Sequence, residues 1–217
     1  MVLYGFWRSS ATWRVRIALG HKQLEHEYRP VNLIADGGGD QHRAEYRALN
    51  PMRQVPTLEL TEEDGSVVRI AQSLAIAEYL DERWPERPLL PRERLARART
   101  RQIAEMINAG IQPLQNTSVR DHVQGKFGAD PDVWCRHWIE RGLDAVEAVV
   151  QGSAGKFAVG DEPTIADMCL VPQLYHARRY GLDSKAFVTL TRIESACAEL
   201  EAFARARPER QPDAPKR

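Results

Sequence analysis

Three short stretches of this chain carry polar side chains whose types and spacing suit either chemistry or helix capping. The first is Arg8-Ser9-Ser10-Ala11-Thr12-Trp13-Arg14-Val15-Arg16, where two hydroxyls stand between an aromatic-rich run and a helical pattern. A serine hydroxyl at a helix N-terminus can donate a hydrogen bond to an anion, and the helix dipole adds to its pull. Either effect lowers the pKa of a thiol bound there and raises the fraction of nucleophilic thiolate. The same two hydroxyls also suit plain capping, which does no chemistry. The second stretch, Gln54-Val55-Pro56-Thr57, sets a proline directly before a strand pattern. A trans peptide bond is the commoner state at such a strand entrance. The third, Thr164-Ile165-Ala166-Asp167, reads as a capping box: the Thr164 hydroxyl caps a helix and the Asp167 carboxylate returns to the cap's backbone N–H. That box stabilises a fold and does no chemistry.

Other chemistries lack their residues. Cys135, Cys169 and Cys197 are widely spaced, odd in number and form no C-x-x-C, which excludes a disulfide scaffold and the usual zinc spacing. Buried reduced thiols are expected. The six histidines show no H-E-x-x-H, so no metal site is expected. Asp36-Gly37-Gly38-Gly39-Asp40 is a flexible loop by composition, without the G-K-[ST] or G-x-G-x-x-G that would complete a phosphate cradle. Thirty basic against 30 acidic side chains leave no excess cation for nucleic acid. No run approaches the ~18 apolar residues of a membrane span. Met1 to Arg8 lacks the charged-then-apolar pattern of a signal peptide, so a cytoplasmic location is expected.

The elements that must hold these residues can be read from periodicity. Val2 to Trp7 reads as a buried strand, Ser10 to Lys22 as a helix and Glu27 to Leu33 as a second strand. Strand, helix and strand within about thirty residues imply a right-handed crossover and parallel pairing. Gln41 to Leu49 reads as a short helix closed by Asn50-Pro51. Thr57 to Leu60 and Val67 to Ile70 flank the turn residues Asp64-Gly65, a hairpin signal, and Gln72 to Trp84 is an amphipathic helix. The order βαβ, hairpin, helix describes a thioredoxin-like α/β layer of four strands. In such a layer the bond before Pro56 is expected to be cis, turning the backbone of Val55 toward the first helix start.

Residues 1–84 therefore form an α/β domain, residues 85–91 a proline-punctuated linker, and residues 92–217 an all-α domain. Helical stripes run through Ile103 and Ile107, through Trp134, Trp138 and Leu143, and through Leu190, Ile193 and Cys197. The tail from Pro208, with Pro212 and Pro215 among charges, is expected to be extended or frayed.

The combination of motifs resembles one family. Arg8-Ser9-Ser10 with Trp13-Arg14-Val15-Arg16-Ile17-Ala18-Leu19 is similar to the signature of zeta-class glutathione transferases, the maleylacetoacetate isomerases. The likeness continues through Asn50-Pro51-Met52-Arg53-Gln54-Val55-Pro56-Thr57-Leu58, Gln72-Ser73-Leu74-Ala75-Ile76 and Gly110-Ile111-Gln112-Pro113-Leu114-Gln115-Asn116. It extends to Val159-Gly160-Asp161-Glu162, Ala166-Asp167-Met168-Cys169-Leu170-Val171-Pro172-Gln173 and Arg210-Gln211-Pro212-Asp213. The resemblance implies the glutathione transferase fold, a two-fold homodimer, and glutathione as a cofactor that returns unchanged. It implies that Ser9 stabilises the glutathione thiolate with Ser10 in support, and that Val55 pairs its backbone with the cysteinyl part across cis-Pro56. Gln72 and Ser73 would hold the γ-glutamyl carboxylate, and Gln54 and Gln41 would help at the glycyl end. Arg8 and Arg179 would meet the carboxylates of a dicarboxylate substrate, with Arg178 the alternative to Arg179; guanidinium grips carboxylates bidentately and stays charged. Arg14 and Arg16 are expected to be helix and interface residues.

The implied reaction is cis–trans isomerisation of maleylacetoacetate to fumarylacetoacetate in aromatic amino-acid catabolism, by reversible thiolate addition. Where the signature normally reads Ser-Ser-Cys, this chain has Ala11. Chemistry that needs a protein thiol there is lost, whereas isomerisation needs only the glutathione thiolate. A maleylpyruvate isomerase is the nearest alternative; that branch places His and Arg where this chain has Gln112 and Ser118. Displacement on small halogenated acids is a second alternative, and a non-catalytic binding module of the same fold a third.

Overall fold

The computed structural model describes residues 1–35 and 38–216, so Asp36 and Gly37 of the glycine loop lie outside the described residues. Two compact units are present, Met1–Leu89 together with Leu200–Arg217, and Leu90–Glu199. In the first, β1 (Val2–Gly5), α1 (Ser10–His21) and β2 (Glu27–Pro30) form the expected crossover, with β1 and β2 parallel. A 3-10 turn (Asp40–His42) and α2 (Ala44–Leu49) follow. The hairpin β3 (Thr57–Thr61) and β4 (Val67–Ala71) leads into α3 (Ser73–Arg83). The sheet order is β2-β1-β3-β4, with β3 antiparallel to both its neighbours. This is the thioredoxin-like layer expected from the sequence.

Several elements stop earlier than their apolar patterns suggest, because side chains capture the backbone. β1 ends at Gly5 rather than Trp7: the Phe6 N–H turns to Thr12 Oγ1 (3.4 Å) and the Trp7 N–H to a carboxylate. β2 ends at Pro30 rather than Leu33, since the Asn32 N–H donates to Asp40 Oδ2 (3.1 Å). The helix expected over residues 41–49 breaks at Arg43, whose ψ of 149° separates the 3-10 turn from α2. Gly5 is required by packing: a Cβ there would overlap the Thr12 methyl group of α1.

Lys22 closes α1 and ties down the segment that leaves the layer. Its buried ammonium donates to Asp81 Oδ1 (2.9 Å) and to the carbonyls of Trp84 (2.6 Å) and Arg87 (2.9 Å). Asp81 Oδ1 also accepts from the Leu89 N–H (2.7 Å). A buried cation is tolerated here because all three donors are used. The first unit accordingly runs through Leu89, five residues beyond the boundary at residue 84 expected from sequence.

The second unit is built of α4 (Arg94–Asn108), α5 (Thr117–Phe127), α6 (Pro131–Val150), α7 (Ile165–Arg179) and α8 (Val188–Ala198). Helix α7 is buried around most of its circumference, the pattern of a core helix, and packs against α4 and α8. Its start is the expected capping box. The Thr164 hydroxyl accepts from the Ala166 N–H (3.3 Å), and Asp167 Oδ2 accepts from the Thr164 N–H (2.8 Å) and hydroxyl (3.0 Å). Asp167 Oδ1 takes the Ala158 N–H as well (2.8 Å). The three cysteines are buried free thiols, and among the described residues no helix is long and apolar enough to cross a membrane.

The tail departs most from expectation. Helix α9 (Glu201–Arg205) and a 3-10 turn at Pro208–Arg210 pack within the first unit, with α9 against α1. The tail is thus neither frayed nor part of the helical unit. Gln211 Nε2 folds it on itself through the carbonyls of Arg205 (3.0 Å) and Arg207 (2.9 Å), capping the end of α9.

Two stability predictions arise here. Lys22→Met keeps the apolar stem but strands Asp81 and two carbonyls, and should cost about 3–5 kcal/mol, read as a lower urea midpoint. Burial outweighs three donors and pushes the Asp167 carboxyl up to about 6, against an unfolded value of about 3.9. Between those values the folded chain holds a proton that the unfolded chain has lost. The stabilisation from this group is therefore full below about pH 4 and falls as pH rises to 6. Asp167→Asn should remove that slope from stability measured across pH 4–7.

Candidate active site

The sheet register gathers the sequence motifs at one edge. Thr57 pairs with Tyr4 on one side and with Ala71 on the other. The residues just before Thr57, just after Tyr4 and just after Ala71 therefore share that edge. They are Val55-Pro56, the Phe6–Ser9 loop, and Gln72-Ser73. The Val31 N–H donates to the Gly5 carbonyl (2.6 Å), so the segment leading to Gln41 starts there too. Beneath it Phe6, Val31, Tyr46 and Val55 form an apolar cluster, with Tyr4, Trp7, Leu33 and Leu49 packed against it.

Ser9 is the N-cap of α1, and its Oγ accepts from the Thr12 N–H (3.2 Å). Capping uses a lone pair and leaves the hydroxyl proton to be donated outward. Capping and anion binding are therefore compatible in one side chain. Ser10 is the first helical residue and is buried. Ala11 follows, half-buried.

The Val55–Pro56 bond is cis. Among the described residues, no hydrogen bond engages the Val55 N–H or C=O, although Val55 is buried. A buried peptide group without a partner is rare and suits a ligand that supplies one. The turn is held from the other side. The Gln54 carbonyl accepts from Tyr46 Oη (2.6 Å) and Asn50 Nδ2 (2.8 Å), and burial raises the Tyr46 phenol's pKa, keeping it a donor. The Gln54 side chain is half-buried.

Gln72 is the exposed N-cap of α3, with φ of 72°, and makes no side-chain capping bond. The first-turn N–H groups of α3 are left to an incoming anion. Ser73 is buried, and its hydroxyl accepts from Arg14 Nη1 (3.2 Å), a link from α1 to α3. Gln41 is buried in the 3-10 turn. Its Nε2 donates to the Gly38 carbonyl (2.8 Å), and its Oε1 has no partner among the described residues.

Arg8 lies over the Trp7 ring (5.3 Å to the centroid). In the helical unit, Arg178 makes a two-pronged ion pair with Glu194 of α8 (2.8 and 2.6 Å). Arg179 is exposed and stacks on Tyr180 at 5.6 Å. Of the two arginines the sequence left open, Arg178 is thus committed to α8. Gln112 donates to Asn116 Oδ1 (2.7 Å) in a 3-10 turn.

Three contributions escaped the sequence reading. Arg14 and Arg16, expected to be helix and interface residues, are buried in this unit. Arg14 supports Ser73, while Arg16 holds the Trp7 carbonyl from Nη2 (2.9 Å) and the Ala206 carbonyl from Nε (3.1 Å). Asp213, some two hundred residues along the chain, accepts from the Trp7 N–H. The available signal was two arginines inside an otherwise apolar helix, a pattern that demands buried acceptors.

Comparison with known proteins agrees with this geometry. The family described as glutathione S-transferase, N-terminal domain, matches residues 8–83, and its C-terminal domain counterpart matches residues 139–207. The chain is 47% identical over 214 residues to maleylacetoacetate isomerase of Rattus norvegicus, covering 99% of this chain and 95% of that protein. Maleylacetoacetate isomerase from Anaeromyxobacter dehalogenans 2CP-1, with GSH bound in its active site, is 50% identical with a TM-score of 0.90, covering 99% and 97% of the two chains. Another structure of that protein holds dicarboxyethyl glutathione and citrate. A bacterial zeta-class maleylpyruvate isomerase is 38% identical with a TM-score of 0.91, covering 99% of this chain and all of its own. With its capped serine, cis-proline turn and open helix start on a thioredoxin-like layer, the chain belongs to the zeta-class glutathione transferases, the maleylacetoacetate isomerase family.

Proposed function

We propose that this protein is a glutathione-dependent cis–trans isomerase acting on maleylacetoacetate. The observation that carries the reading is the presence, at one sheet edge, of the half-buried Ser9 hydroxyl and of the buried Val55 peptide, which has no partner among the described residues. The residues present fit glutathione. The Val55 N–H and C=O can take its cysteinyl residue as an added strand does. The open start of α3 at Gln72-Ser73 suits its γ-glutamyl carboxylate, and the orphaned Gln41 Oε1 with the Gln54 side chain suits donors and acceptors toward the glycyl end. Glutathione, when bound, supplies a thiol whose anion adds reversibly to a double bond beside a carbonyl.

The chain's part is activation and positioning. Ser9 donates to the sulfur and favours its anion, and the α1 dipole adds to that. Ser10, buried behind it, packs the helix start. Arg8 in the first unit and Arg179 in the helical unit are the cations assigned to substrate carboxylates. Arg179 is preferred because Arg178 is bound to Glu194. Fixed guanidinium groups stabilise charge that develops on the substrate without reorganising. The bound dicarboxyethyl glutathione and citrate of the Anaeromyxobacter protein support a substrate of the dicarboxylate class. The proposal includes a two-fold homodimer, a cytoplasmic location and a place in tyrosine catabolism.

Maleylpyruvate is the second reading, favoured by the likeness to the bacterial maleylpyruvate isomerase. Turnover of maleylacetone, a stable analogue of maleylacetoacetate, against that of maleylpyruvate decides between them. Conversion of maleylacetone should require glutathione, and Ser9→Ala should lower kcat at least tenfold, about 1.4 kcal/mol of barrier. Binding to immobilised glutathione without turnover of either compound would overturn the isomerase reading. Arg179→Ala should raise KM for the dicarboxylate about tenfold, and Arg178→Ala should leave KM within twofold of wild type.

A further inference from the structure

We propose that the carboxyl-terminal tail is a positioning strap for Ser9: Asp213, through the Trp7 peptide, holds the Phe6–Ser9 loop where the serine hydroxyl meets the bound thiol. The inference rests on the role given to Ser9 above and adds a residue that acts through it.

The backbone of this loop is tied at nearly every polar group. Phe6 N–H donates to Thr12 Oγ1, and the Phe6 carbonyl accepts from the Ser9 N–H (3.0 Å). The Ser9 carbonyl accepts from the Trp13 N–H (2.8 Å). Those ties are local to the start of α1. Trp7 is different. Its N–H donates to Asp213 Oδ2 (2.9 Å), while its carbonyl is held by Arg16 Nη2. Both peptide planes at Trp7, two residues before Ser9, are thus gripped from opposite sides.

Asp213 is itself oriented. Tyr28 Oη of β2 donates to the same Oδ2 (3.2 Å), and burial together with the nearby carboxylate keeps that phenol protonated. The charged and titratable groups around the carboxylate are Arg16 from α1 and Tyr28 from β2, with His26 facing Arg16. Arg16 also binds the Ala206 carbonyl at the end of α9, so one guanidinium holds tail and loop together.

Anchoring the tail does not need Asp213. The packing of α9 on α1, the Arg16 bond to Ala206 and the Gln211 caps already fix it. What Asp213 adds is one acceptor at the Trp7 N–H. A lost bond there frees the peptide to turn, and the hydroxyl two residues on moves with it. Hydrogen bonds weaken steeply as their geometry departs from the optimum, so a change in the hydroxyl's position is felt at the thiol.

The test uses full-length Asp213→Ala and Asp213→Asn, alone and combined with Ser9→Ala. The readouts are the ultraviolet absorbance of bound glutathione thiolate across pH, glutathione affinity by calorimetry, kcat and melting temperature. Asp213→Ala should raise the apparent thiol pKa by about one unit, a tenfold loss of thiolate below it. It should lower kcat by about tenfold while glutathione affinity, set at Val55 and α3, stays within about twofold. Asp213→Asn keeps an oxygen for the Trp7 N–H and should recover most of both losses. Added to Ser9→Ala, Asp213→Ala should lower kcat by less than about twofold more, since the two act through one hydroxyl. A wild-type thiol titration in Asp213→Ala, or full additivity with Ser9→Ala, would overturn the strap. If Ser9→Ala itself leaves the titration unchanged, the role of Ser9 fails, and the strap with it. Should Asp213→Ala not fold, Asp213→Glu keeps the charge, displaces the acceptor and must shift the titration in the same direction.

Discussion

The pairing of Thr57 with Tyr4 on one side and Ala71 on the other decides where the rest of the first unit stands. A slip of one residue in either ladder would turn Leu58 and Leu60 out of the core, so the register is fixed by apolar burial. Once it is fixed, three segments far apart in sequence must end at the same edge. The loop after β1 brings Ser9, the turn before β3 brings Val55, and the start of α3 brings Gln72 and Ser73. No one of these residues makes a ligand site. Together they place a hydroxyl, an open peptide and a helix N-terminus at one edge, the arrangement on which the proposed glutathione site rests.

Buried polar groups brace the first unit by engaging acceptors or donors that a helix or loop would otherwise leave unsatisfied. Lys22 neutralises Asp81 and takes up two carbonyls after α3. Arg14 reaches Ser73, and Arg16 joins the carbonyls of Trp7 and Ala206. In the helical unit Glu147 of α6 plays a similar part, accepting from the Thr189 and Leu190 N–H groups where α8 has no cap of its own. Such pairs add little net stability over apolar packing, but removing one partner is costly. Their contribution is to fix geometry, which is what a site built from loops requires.

Much of this was legible in the residues. The βαβ order, the hairpin around Asp64-Gly65 and the capping box at Thr164 follow from period and local chemistry, which act over a few residues. The serine cap was legible as well, together with the doubt over whether it only capped. The structure shows Ser9 capping α1 through a lone pair that accepts from Thr12, an arrangement that leaves the hydroxyl proton available for a second role. β1 and β2 stop short of their apolar patterns because the N–H groups of Phe6, Trp7 and Asn32 are claimed by side chains at Thr12, Asp213 and Asp40, partners that lie outside the short window in which a strand's periodicity is read. The tail resembles a frayed end for the same reason: its prolines and charges look disordered until the acceptor needed by Trp7 is known.

The sequence by itself determined the two kinds of unit, the family, the serine at the helix start and the proline at the strand entrance, since each depends on nearby residues alone. Only the tertiary structure decided that Arg178 is bound to Glu194 while Arg179 is left exposed, and that the Val55 peptide has no partner among the described residues. It alone showed that Asp213 reaches back to Trp7. Those are outcomes of long-range pairing. A buried donor must find an acceptor somewhere, but which one it finds depends on how the whole chain has packed.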